Sequence, residues 1–131
     1  MATKINITTV RTPSKAVAAE DYTVPTKTVA GATEDFCAPI EAADGRAFFV
    51  INNEEGASNV EVCLVAGEYV GSADGDSQVV EKGSTAYLFP DSSLCKKDGE
   101  LYIRLTPTAS ANLASSGIKV AAVQFLPVTN H

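Results

Sequence analysis

The chain has 131 residues, 45% of them hydrophobic and 20% charged, with a formal net charge of −6. That length suits one domain, able to bury roughly two-thirds of its unfolded surface in a single core. The acidic balance argues against nucleic acid as a partner, since binding phosphates takes a basic stripe. No apolar run approaches the length needed to span a membrane.

Residues 1–43 read as an extended N-terminal arm with edge strands. Its β-prone pieces, Ile5 to Val10 and Thr26 to Ala30, are interrupted by Pro13, Pro25 and Pro39. Prolines at that spacing prevent a long helix and demote strands to edges. A short helical turn capped by Ser14 would fit at Ser14 to Ala19. Residues 1–30 carry four basic and two acidic side chains, or +2, whereas residues 31–131 carry six and fourteen, or −8. A mildly basic arm thus precedes an acidic body. The opening "MATKINITTV" lacks a basic stretch followed by a long apolar one, so no signal peptide is expected.

From residue 44 the pattern becomes that of a β-sandwich domain, residues 44–131. "RAFFVIN" is a continuous apolar run, suited to a strand covered on both faces. "NVEVCLVA" alternates, with Val60, Val62 and Leu64 on one face and Glu61, Cys63 and Val65 on the other. "QVV" is a short third strand. "STAYLFP" sets Thr85, Tyr87 and Phe89 opposite Ala86 and Leu88. In "ELYIRLT", Leu101, Ile103 and Leu105 point inward and Tyr102, Arg104 and Thr106 outward. "IKVAAVQFL" supplies a final, mostly buried strand. Six strands with Gly-containing turns between them and no helical stretch predict an all-β, antiparallel sandwich, jelly-roll or Ig-like. Its expected core is Phe48, Val50, Val62, Leu64, Leu88, Leu101, Ile103, Leu105, Val120 and Val123.

Candidate chemistry is sparse. The single histidine is His131, the last residue, which leaves no histidine within the body for a Ser-His or Cys-His arrangement. The three cysteines, Cys37, Cys63 and Cys95, are far apart and form no C-x-x-C pair, so neither a zinc site nor a disulfide framework is expected. Lys96 and Lys97 beside Cys95 could lower its thiol pKa, but the stretch reads first as a hairpin turn with solvated lysines. "ADGDS" offers Asp74 and Asp76 to calcium without the further spaced carboxylates that such a loop needs. No cofactor and no enzymatic activity are expected.

At "DGRAFFVIN", "VVEKGSTAYLFPDSSLCKKDGELYIRL" and "GIKVAAVQF" the chain resembles the small β-sandwich head proteins that decorate or stabilise the capsids of tailed bacteriophages. Asp44-Gly45-Arg46 matches the opening strand of that pattern. Lys82-Gly83-Ser84-Thr85 followed by Phe89-Pro90 matches its middle, and Asp98-Gly99 its last turn. The likeness covers roughly residues 44–126. It implies a structural virion protein on the capsid exterior, assembled in the bacterial host cytoplasm. Its partners would be the major capsid protein and copies of itself, as a homotrimer. The arm lies outside that likeness; its charge, opposite to the body's, and its prolines predict that it reaches out to a partner as an added strand, with contacts at Lys4, Ile5, Ile7, Val10 and Arg11. Lys96 and Lys97 are expected to touch a neighbour too. The alternative is a carbohydrate- or receptor-binding module on the same fold, which would use Tyr22, Tyr69, Tyr87 or Tyr102.

Overall fold

The computed structural model describes residues 3–5, 7–10, 21–39, 47–65, 77–89, 96–97 and 100–125. Among them run β1 (Thr3–Lys4), β2 (Ile7–Val10), β3 (Glu34–Pro39), β4 (Ala47–Asn52) and β5 (Val60–Leu64). They are followed by β6 (Gln78–Val80), β7 (Thr85–Leu88), β8 (Lys96–Lys97), β9 (Glu100–Pro107) and β10 (Lys119–Phe125). One sheet has the order β1-β3-β9-β5-β6, and the other β2-β10-β4-β7. The chain is therefore an all-β sandwich, with no α-helix among the described residues. Pairing is antiparallel except at the N-terminus, where β1 runs parallel to β3 and β2 parallel to β10.

Each sheet forms because its strands can present one apolar face to the other sheet. In β9 the alternation is complete, and Leu101, Ile103 and Leu105 are fully buried. They meet Phe36 and Ala38 of β3, Val60 and Val62 of β5, and Phe49, Ile51 and Val120 of the opposite sheet in one core. Leu64 and Leu88 pack at its border. Phe48, Val50 and Val123, expected in that core, lie elsewhere. Val50 and Val123 are buried in a second cluster with Val10 and Ala121, and Phe48 packs against it. The period of two explains the correction: Phe49 and Ile51 face inward, so Phe48 and Val50 must face outward. The continuous apolar run of β4 reflects two apolar faces.

The arm is corrected as well. β3, within residues 1–43, is an interior strand between β1 and β9 rather than part of an extended arm. Glu34 and Asp35 disguise β3 in the sequence, and Pro39 is tolerated because it is the last residue. Ile5 is 2% exposed within the main core and Ile7 packs against it, while Val10 is buried in the second cluster. These residues pair with their own sheets because leaving would expose that apolar surface. Lys4 bonds to Glu100 of the same chain at 2.9 Å, so part of the charge contrast between arm and body is satisfied internally. Thr26 to Ala30 is not a strand. The helical turn expected at residues 14–19 lies outside the described residues.

The chain passes between the sheets at residues 81–84, where Ser84 N–H donates to the Glu81 carbonyl at 3.1 Å. Gly83 takes φ +85° in this turn, a left-handed conformation that glycine adopts without strain. Asn53, fully buried, ties the crossing together. Its carbonyl accepts from Gly83 N–H at 2.8 Å, and its side-chain amide donates to the carbonyls of Ser58 and Val80 at 3.0 and 3.1 Å.

Candidate functional site

The two outer faces of the sandwich differ in chemistry. On the β3–β9 sheet the outward residues are mostly polar, with Val79 of β6 as an exposed apolar exception. Arg104 holds Asp35 through two hydrogen bonds, 2.7 Å from Nε and 3.3 Å from the guanidinium end. Lys4 and Glu100 pair beside Cys37, and the Glu100 contact holds the Lys4 ammonium above its ordinary pKa. A pocket of about 250 Å³ opens among Lys27, Thr33, Asp35 and Arg104. Among the described residues no group of three or more His, Cys, Asp or Glu is placed to hold a metal ion. Asp74 and Asp76 of "ADGDS", and Cys95, lie outside the described residues.

Cys37 is buried, and that burial raises its thiol pKa; the negative charge of Glu100 adds to the rise and Lys4 opposes it. Cys63 is only half-buried. Since the thiolate is the reactive form, limited alkylation at pH ~8 should label Cys63 at least about tenfold faster than Cys37. Peptide mapping by mass spectrometry reads the ratio. Equal rates would show that the β1–β3 edge opens readily.

The outer face of the β2–β10–β4–β7 sheet is apolar. Register sets its rows: Val123 of β10 lies beside Phe48 of β4, and Ala121 lies beside Val50, which in turn lies beside Tyr87 of β7. Residues two apart on each strand share the face, so Phe125 and Phe89 join it. Phe48 sits at the centre, its ring 5.3 Å from Phe89, 5.9 Å from Phe125 and 6.1 Å from Tyr87. Such edge-on and tilted pairs are favourable ring geometries. Yet Tyr87 and Phe89 remain 61% exposed and Phe125 41%. Single exposed apolar side chains are ordinary, whereas clustered aromatic rings on one face mark a contact surface. At the far end, Lys119 Nζ lies 5.4 Å from the centre of the Tyr22 ring, within cation–π range.

The residues expected to contact partners do not assemble into this face. Lys4 stands on β1 of the other sheet, and Ile5 and Ile7 face the core. Val10 belongs to the aromatic sheet but is covered. Lys96 and Lys97 form β8, paired with Leu101 and Glu100 on β9, and Arg11 lies outside the described residues. Sequence reasoning missed Phe48, Phe89 and Phe125 as a surface. One signal was present, since the alternation in "STAYLFP" already put two aromatics on one side and two aliphatics on the other.

Fold and face together define a β-sandwich with one polar and one aromatic outer surface. No family model, curated protein or solved structure matches the chain.

Proposed function

We propose that the chain is a structural binding protein that acts through its aromatic sheet face, as a decoration or cement protein of a bacteriophage capsid. The observation that carries the binding role is the ring cluster of Phe48, Tyr87, Phe89 and Phe125, three of whose members are substantially exposed. Aromatic side chains are enriched in the cores of protein interfaces and dominate their energetics. The capsid as partner comes from the resemblance of residues 44–126 to phage head proteins. On a lattice, modest contacts gain strength through repetition, so each patch can be small. In this reading the chain has no catalytic role, and it is located on the virion exterior.

Exposed rings also stack on sugars, which keeps the glycan-binding reading in view. Here, however, Phe89 and Phe125 tilt 33° and 31° from Phe48, and Tyr87 lies at 63° to it. Rings so inclined interlock with side chains better than they offer a flat platform.

Co-sedimentation decides between the readings. The full chain should pellet with capsids of the phage whose genome carries it, saturating at a fixed ratio to the capsid protein. Phe89→Ser should weaken that binding by about tenfold or more, as an interface anchor does. A wild-type chain that stays in the supernatant overturns the capsid assignment.

A further inference from the structure

We infer that the aromatic face of the β2–β10–β4–β7 sheet pairs with the same face of a second copy of this chain, related by a two-fold axis. The inference rests on the preceding reading of that face as a contact surface, and it names the occupant of the face in the free chain, which a capsid would displace.

Charge selects it. The chain carries −6 overall, so two copies repel each other over most of their surfaces. Asp35, Glu61 and Glu100 all project from the β3–β9 sheet, on the opposite side of the molecule. Among the described residues that register places on the aromatic face, Lys119 is the only charged one, and it lies at one end over the Tyr22 ring. Among the described strand residues, this face is therefore where two acidic bodies can meet without bringing carboxylates together. A two-fold contact also needs a self-complementary patch, and a sheet face of rings around a central ring can interdigitate with its own image.

The size of the patch sets the strength. Three rings of about 150–250 Å² each, partly exposed, fall well short of the roughly 800 Å² per partner of a standard stable interface. Pairing through the described residues is then weak and depends on concentration. A threefold assembly would need a head-to-tail contact between different surfaces, which this face does not provide.

Sedimentation equilibrium of the full chain, without capsids, tests the pairing. At concentrations up to about 0.5 mM the mass should rise from one copy to two and no further. Raising salt from about 50 mM to about 0.5 M should strengthen pairing, because it screens the mutual repulsion while the contact itself is apolar. Phe89→Ser and Tyr87→Ser, both at exposed positions, should each weaken it by about fivefold or more while leaving the melting curve near wild type. Val79→Ser, equally apolar and 55% exposed but on β6 of the other sheet, should change nothing. A chain that is monomeric throughout, a three-copy species, pairing that weakens with salt, or pairing indifferent to Phe89 and Tyr87 would each overturn the proposal. The failures are separable: a monomer that binds capsids through Phe89 sinks the pairing alone, and a dimer that ignores capsids sinks the capsid reading alone.

Discussion

Ile103→Ala should destabilise the chain by about 2–5 kcal/mol, the range for emptying a large aliphatic site in a packed core. Ile103 has no exposed surface and sits in the middle strand of its sheet. Its register partners are Phe36 on β3 and Leu64 on β5, one fully buried and one at the core border. Across the sandwich the core continues to Phe49 and Val120. Truncation removes methyl and methylene groups from all of these neighbours at once. Strands locked on both edges by backbone hydrogen bonds cannot easily move in to refill the space, so both the transfer and the cavity contributions should be felt. Urea melts of wild type and variant measure the difference as a shift in midpoint at constant slope. A loss below about 1 kcal/mol, typical of surface positions, would mean that β9 does not carry the core.

β9 could be read directly because its faces differ so sharply, apolar at odd positions and polar at even ones. β4 and β10 were legible as strands but not as to orientation. Their runs of apolar residues satisfy either face, and only the partner sheet decides that Phe49 goes in and Phe48 out. β3 was hidden because its buried face begins with a carboxylate and its end is a proline, both features that local patterning assigns to loops. The N-terminal strands were visible as β-prone pieces. Their destination was not, because an edge strand can complete its own sheet as readily as a neighbour's. The basic character of the arm suggested an outside partner, yet Lys4 meets Glu100 of its own chain. An exposed pair of this kind contributes little energy, so burial of Ile5 rather than charge explains the docking.

The aromatic face was illegible for a related reason. Phe48 lies on β4, Tyr87 and Phe89 at β7 and just beyond it, and Phe125 at the end of β10. The period of two joins Tyr87 to Phe89, but no spacing in the sequence joins that pair to Phe48 or Phe125, and it takes the order β10-β4-β7 to set them side by side. Composition gives no warning either, since aromatic residues are only 7% of the chain. Concentration of several of them on one outer face is a property of topology.

Glu34→Ala should cost about 2–4 kcal/mol, with the loss centred on the N-terminal strands rather than on the core, because it removes the shared acceptor of a buried hydrogen-bond network, a change at the upper end of single-substitution effects. Glu34 is 2% exposed at the start of β3, on its inward face. A carboxylate taken out of water is costly unless its oxygens are well bonded. Here one oxygen accepts from the backbone N–H groups of Thr26 and Lys27, each at 2.9 Å. The other accepts from the hydroxyls of Thr3 at 2.7 Å and Thr26 at 3.3 Å. The side chain thereby fastens three stretches at one point: β1, the segment before β3, and β3 itself. β1 has only two residues of ladder and needs such a fastener. Alanine removes all four acceptor contacts and frees the ends it joined. Glutamine should be far milder, because its carbonyl still accepts from the two N–H groups and its amide can donate to the two hydroxyls, which rotate to receive it. Hydrogen exchange should then rise at Ile5 and along β2 in the alanine variant while β9 stays protected until global unfolding. An alanine variant with unchanged melting and unchanged exchange at Ile5 would show that β1 is held by its ladder and by Ile5 burial alone.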